Sequence, residues 1–295
     1  MEPVRHDTTT HDVGFMLQCS YGQAFRITGD SAYLPPLSEG AAHLAARFMP
    51  APGVILSWNR SRRWRNPVII DNMMNLELLE EVGKRESNQR YLQIADSHAL
   101  TTMRNHYRKD FSTWHVVDYD EASGEVVKRT TAQGCADDSD WARGQAWGLY
   151  GYVMMYRETS DSRYLRQASD IARYLTSRTN QPADAVPYWD YDAPDIPFAM
   201  RDASSAAILA SALLDLAQYS KGRDSRRWLR HAWRIILSLS SSAYTAPAGE
   251  NGGFILMHCT GNLPGNSEMD VPLTYADYYY VEALLKMQRH LSDEP

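Results

Sequence analysis

One phrase is written four times along this chain, and it limits the fold more than any other feature: an apolar helix, a short polar turn, then a second helix that opens on an aromatic-leucine pair. The first copy runs from about His11 through Phe15, Leu17 and Phe25, turns at Thr28-Gly29-Asp30 and resumes at Tyr33-Leu34 up to about Phe48. The second runs from Asp71 to about Gly83, turns at Glu86-Ser87-Asn88 and resumes at Tyr91-Leu92 up to about Tyr107. The third starts at Trp141, turns at Thr159-Ser160-Asp161 and resumes at Tyr164-Leu165; the fourth starts at Asp202, turns near Gly222 and resumes at Trp228-Leu229. A last apolar helix, Tyr275 to about His290, has no partner after it.

Within each copy the first helix is apolar or small on most faces and the second is amphipathic, which predicts inner helices followed by outer ones. No single pair can bury its inner face alone, so repeated pairs close into a ring. The predicted fold is therefore all-α, an (α/α)6 double-layered helical barrel. Six hairpins need twelve helices and nine can be counted, so about three helices are expected to be missing before Met1. With 295 residues and no long Gly, Ser or Pro tract, the whole of 1–295 reads as one domain.

The inner-to-outer turns are a few residues long, whereas the outer-to-inner segments 49–68, 108–140 and 178–201 are long. Long loops in compact folds tend to carry function. They gather where inner helices begin, an end whose free amides and helix dipoles favour an anion. Asp12, Asp71, Arg143 and Asp202 belong to it. The segment Trp114 to Asp120, with Glu121-Ala122-Ser123-Gly124 turning into Glu125-Val126-Val127, reads as a β-hairpin flap. It would deliver His115 from one strand and Gln133 just past the other. Trp58, Trp64, Trp114, Tyr188 and Trp189 sit in neighbouring loops, where they either ring a sugar site or pack against the rim.

Composition narrows the chemistry. A formal net charge of -6 and no long basic run argue against nucleic acid. No apolar run spans a membrane, and the first residues lack a signal-peptide core, so a cytoplasmic location is expected. Three distant cysteines, Cys19, Cys135 and Cys259, fit reduced thiols. The nine histidines show no metal-ligand spacing, no Gly-rich phosphate loop follows a strand, and there is no nucleophile elbow. No metal or other cofactor is expected. Carboxylates remain, and acids beside aromatics point to glycoside chemistry.

Asp71 is the focal acid. It follows the apolar run Val68-Ile69-Ile70 and precedes Met73, Met74, Leu76, Leu78 and Leu79, so it is either an N-cap or a catalyst at the mouth of a buried helix. Thr10-His11-Asp12-Val13-Gly14-Phe15, the stretch Ile70-Asp71-Asn72-Met73-Met74-Asn75-Leu76 and above all Asp138-Ser139-Asp140-Trp141-Ala142-Arg143-Gly144-Gln145-Ala146-Trp147 resemble the signature segments of the unsaturated glucuronyl hydrolases, glycoside hydrolase family 88. The likeness continues through Asp202-Ala203-Ser204-Ser205 and Tyr275-Ala276-Asp277-Tyr278, and so covers essentially the whole chain.

The resemblance implies an (α/α)6 barrel acting on unsaturated uronic-acid-terminated oligosaccharides by hydrating a vinyl ether. It implies Asp71 as general acid and then base, and Asp12 as the second aspartate, tuning its partner. It also implies His115, Gln133, Arg143 and Trp147 as sugar contacts; Trp58, one of the loop aromatics, is a further candidate for substrate binding on its position alone. Arg143 could equally pair with Asp137, Asp138 or Asp140, and Asp202 and Asp277 read as caps or helix partners. A related class, the unsaturated rhamnogalacturonyl hydrolases, shares the chemistry on pectin fragments, and a truncated, non-catalytic sugar-binding remnant is a further alternative. The oligomeric state is not legible.

Overall fold

The computed structural model describes residues 2–292, and these divide into two compact units. The first takes the chain up to Tyr107 together with Val116–Thr130 and Met154–Asp161. It holds α1 (Val13–Leu17), α2 (Gln23–Thr28), α3 (Leu34–Ala46), α4 (Leu76–Arg85) and α5 (Gln89–Asn105). A π-helical turn, Gln18–Gly22, joins α1 to α2, so the first predicted helix is one helical run with a widened middle. The predicted turns carry the residues that make them. Gly29, at φ 70°, ends α2 in the left-handed conformation glycine tolerates. Asp30 accepts from the Ala32 amide, and Asn88 accepts from the Arg90 amide to cap α5.

The first unit also contains two short strands, β1 (Phe48–Met49) and β2 (Val54–Ile55), and a sheet of β3 (Pro67–Ile69), β4 (Val116–Tyr119) and β5 (Val126–Thr130) in that order. The predicted hairpin is present as the antiparallel β4–β5 pair, with Val116 opposite Thr130. Its first strand gains a second partner, since Val68 pairs with Val117 on the other side. β4 is consequently buried along its whole length. Val68 and Ile69, in the apolar run before Asp71, lie in β3; a short apolar run suits a covered strand as well as a helix.

The second unit takes Arg108–His115, Thr131–Val153 and the chain from Ser162 onward. It holds α7 (Ser162–Ser177), α8 (Ala203–Tyr219), α9 (Gly222–Leu239), α10 (Thr274–Ser292) and the hairpin β6 (Cys259–Asn262) with β7 (Ser267–Val271). Helix α6 (Ala142–Thr159) gives its first twelve residues to this unit and its remainder to the first. The inner and outer assignments follow burial: every residue of α8 from Ala203 to Ala217 is buried, whereas α9 buries only one side, from Trp228 to Leu239. Small residues let α8 be enclosed all round; the arginines of α9 keep its other face in water.

Two of the five loop aromatics prove to be core. Tyr188 and Trp189 are 6% and 4% exposed and pack with Trp141, Ala193 and Ala199. The loop folds back on itself through Trp189 N donating to Met200 O and Tyr191 N to Asp140 O, which encloses its own rings. Among the described residues no helix is long and apolar enough to cross a membrane, and no cysteine is in a disulfide.

Candidate active site

In the first unit, β3 ends and the chain enters a 3-10 turn, Ile70–Asn75, before α4. Asp71 is the second residue of that turn. The capping position belongs to Ile69, in extended backbone, so the cap reading of Asp71 is not what the chain builds. Two asparagines fix the turn. Asn72 Nδ2 donates to Ile55 O at 2.7 Å, and Asn75 Oδ1 accepts from Phe15 N at 2.6 Å. Because that oxygen is taken, Asn75 presents its amide nitrogen to His11 Nδ1 at 3.4 Å. The His11 proton therefore sits on Nε2, 3.2 Å from Asp12 Oδ1. Burial of His11 holds its pKa below the ordinary value, against the pull of Asp12. Gly14 stands beside this arrangement, and a Cβ there would lie 2.8 Å from Asn75 Oδ1.

Asp71 is half-buried and Asp12 is exposed, its carboxylate reached by Thr10 Oγ1 at 3.2 Å. Trp58 joins the same locality through a backbone bridge to Thr10 and meets Trp64 edge-on, ring centres 5.2 Å apart. The structure thus links Asp12 to the turn of Asp71 through His11 and Asn75. Sequence reasoning singled out neither His11, Asn72 nor Asn75 as working residues. The available signal was polar side chains at positions 72 and 75, three apart inside an otherwise apolar stretch.

In the second unit, four of the predicted contacts form one cluster. His115 is buried, and its Nδ1 accepts from the amides of Ala132 and Gln133 at 3.1 and 3.2 Å, so its proton is on Nε2. The imidazole stacks on Trp141, centroids 4.3 Å apart. Gln133 Nε2 donates to Gly261 O at 2.8 Å, and Arg143 donates to the same carbonyl at 2.5 Å. Trp147 is 5% exposed and packs against Tyr275 and edge-on against Tyr279.

Among the described residues Arg143 pairs with Asp202, and not with Asp137, Asp138 or Asp140. Its guanidinium is buried against Asp202 Oδ2 at 2.9 Å and donates also to Thr260 O at 2.6 Å, with the Tyr275 ring 5.5 Å from its centre. Asp140 is taken by Arg178 and the Tyr174 hydroxyl instead. Asp202 caps α8, accepting from Ser204 N at 3.1 Å, and Asp277 accepts from the amides of Ile255 and Leu256. Among the described residues no group of three His, Cys, Asp or Glu is arranged to hold a metal ion.

No protein-family model matches the chain. Solved structures and curated relatives do. It superposes with a TM-score of 0.96 and 48% identity on a crystal structure of an unsaturated glucuronyl hydrolase specific for heparin, over 99% of this chain and 78% of that one. The fold class is that of the all-α helical-barrel glycoside hydrolases. The chain is 43% identical over 290 residues to the unsaturated glucuronyl hydrolase of Formosa agariphila, 98% of this chain and 72% of the relative. It is 30% identical over 281 residues to the unsaturated chondroitin disaccharide hydrolase of Streptococcus pneumoniae, 95% and 70% respectively. The chain belongs to the unsaturated glucuronyl hydrolase family.

Proposed function

We propose that the chain removes the non-reducing-end 4,5-unsaturated glucuronic acid from lyase-generated oligosaccharides by hydrating the C4=C5 vinyl ether. The observation that carries this reading is the setting of Asp71, an acid inside a pinned 3-10 turn and not at a cap, with the His11–Asp12 pair tied to the same turn. Asp71 donates its proton to C4 and positive charge develops at C5, shared with the ring oxygen. The resulting carboxylate takes a proton from water as that water adds to C5. The product is a hemiketal, which opens and expels the leaving sugar. One group serves as acid and then base, so no net proton is consumed at Asp71.

Asp12 is assigned to holding substrate hydroxyls and setting the charge around Asp71, with His11 orienting it. Trp58 offers a half-exposed ring for a sugar face. His115, with its proton on Nε2, is assigned as a donor, and Gln133 and Trp147 shape the wall it belongs to. Arg143 we assign as a positioning residue, because three of its N–H groups already hold Asp202, Thr260 and Gly261.

The reaction is tested by following loss of the double bond's ultraviolet absorbance with unsaturated chondroitin, hyaluronan, heparin and rhamnogalacturonan disaccharides, with and without chelator. Loss with the glucuronyl substrates is expected, and none of the saturated counterparts should react. Loss confined to the pectin fragment moves the assignment to rhamnogalacturonyl hydrolysis. No loss with any of them, by folded protein, removes the catalytic reading.

A further inference from the structure

Helix α9 carries a row of arginines that the proposed reaction does not use. Arg223, Arg226, Arg230 and Arg234 follow one another at three- and four-residue steps and are exposed along one face, with Arg227 half-buried beside them. At the α-helical rise the row is about 16 Å long. Among the described residues no ion pair neutralises it. The one acid of α9, Asp224, is bound by Arg173 at 2.9 Å, and Arg173 also takes Asp170 at 2.7 Å. Arg234 gives an N–H to Ala183 O at 3.0 Å. Among the described residues, Arg223, Arg226, Arg227 and Arg230 make no ion pair. A solvated helix face ordinarily mixes signs, because like charges one turn apart repel. With a net charge of -6 overall, the row is a local concentration and not general basicity.

Two depressions run along it. One, of about 550 Å³, is lined by Arg223, Asp224, Arg226, Arg227 and Arg230. A smaller one, of about 100 Å³, is lined by Thr176 of α7 with Arg227, Arg230, His231 and Arg234. His231 supplies the second observation. It is 8% exposed, and its Nε2 has no hydrogen-bond partner. A buried polar atom left unpaired is costly, and this one lies beside the depression that Arg227, Arg230 and Arg234 line. Burial and the neighbouring Arg234 and Arg227 hold the ring neutral, with a pKa of about 4, so it adds no charge to the row. Beyond Arg230 the same face continues with Trp233, 41% exposed, an indole suited to the C–H face of a sugar ring.

We propose that the arginine face of α9, with the small depression it shares with α7, is a second glycan site, which binds a stretch of carboxylate- or sulfate-bearing polysaccharide and uses none of the residues assigned to hydration. Guanidinium forks pair with carboxylate and sulfate oxygens alike. The choice of a glycan rests on the uronate reading given above; the anion-binding geometry does not. Nucleic acid is disfavoured, because the basic row is short and α9 exposes one aromatic and not a stacking series. Holding the enzyme on an anionic polysaccharide keeps it where lyase products are released.

The test uses the full chain and a fluorescent, size-defined heparin oligosaccharide with a saturated non-reducing end, which offers no double bond to the reaction. Binding should weaken steeply with salt. The triple substitution Arg223→Gln, Arg226→Gln, Arg230→Gln should weaken it at least tenfold and the matching Arg→Lys triple should restore most of it. Turnover of a small unsaturated disaccharide should be unchanged in both triples. The proposal is overturned by absence of salt-sensitive binding in the wild type, by equal binding in the glutamine triple, or by tighter arginine-dependent binding of duplex DNA or phosphatidylserine vesicles. Arginine-dependent glycan binding by a protein inactive on every disaccharide would support this site while removing the catalytic reading.

Discussion

Replacing Arg143 with methionine separates a guanidinium that holds the fold from one that touches sugar. Arg143 and Asp202 are both almost fully enclosed, 3% and 0% exposed at the side chain, and lie 2.9 Å apart. Asp202 Oδ1 is occupied by Ser204 and by the Thr260 amide, so Oδ2 depends on Arg143 for its counter-charge. Removing one partner of such a pair costs about 3–5 kcal/mol, because the remaining charge stays buried. The carbonyls of Thr260 and Gly261 lose donors as well, so about 4 kcal/mol is a fair expectation for Arg143→Met. Arg143→Lys keeps a charge near Asp202 but cannot reach both carbonyls with one ammonium, and about 2 kcal/mol is expected.

The double variant Arg143→Met with Asp202→Asn should recover part of the loss, since it removes the orphaned charge. The assay is urea unfolding at equilibrium, with disaccharide turnover measured on the same preparations. If Arg143→Met costs under about 1 kcal/mol while raising KM strongly, the guanidinium is a sugar contact and the positioning role is wrong.

Asp71→Asn should lower turnover by about two to four orders of magnitude with little change in urea midpoint, and near-normal turnover would remove Asp71 from the mechanism. Gly14→Ala pushes a methyl against Asn75 Oδ1 and Leu44 Cδ2, both 2.8 Å from the new atom; a stability loss of about 1–3 kcal/mol with reduced turnover is expected, and an unchanged melt and rate would show that the turn gives way freely. His231, held to about 4 by burial, is neutral in the fold but takes up a proton below its usual 6.5 when unfolded, so its contribution is complete above pH 6.5 and lost as pH falls toward 4. Measured against His231→Gln, wild-type stability should therefore rise by roughly 3 kcal/mol between pH 4 and 6.5, and a flat difference would contradict a buried neutral imidazole.

The repeat was legible because helix pairs leave their period in the sequence, and because Gly29, Asp30, Asn88 and Asp202 can be read as punctuation without knowing what lies across from them. What escaped were the positions decided by partners far along the chain. Pro67–Ile69 becomes a strand only because Val116–Tyr119 arrives beside it some fifty residues later, and its apolar run carries no period of its own. Tyr188 and Trp189 read as rim aromatics because nothing local says that their loop closes over them.

The same holds at the site. Asp71 could be found as an acid at the start of a helix, but the distinction between cap and catalyst rests on the turn beginning at Ile70, which Asn72 and Asn75 secure to Ile55 and Phe15. Arg143 is the sharper case. Its sequence neighbours offered three nearby acids, yet it pairs with buried Asp202, fifty-nine residues away, while Tyr174 and Arg178 occupy Asp140 and the carboxylates of Asp137 and Asp138 belong to exposed residues. A buried guanidinium takes the carboxylate that is buried beside it. That competition is settled by packing, and a lone sequence does not record it.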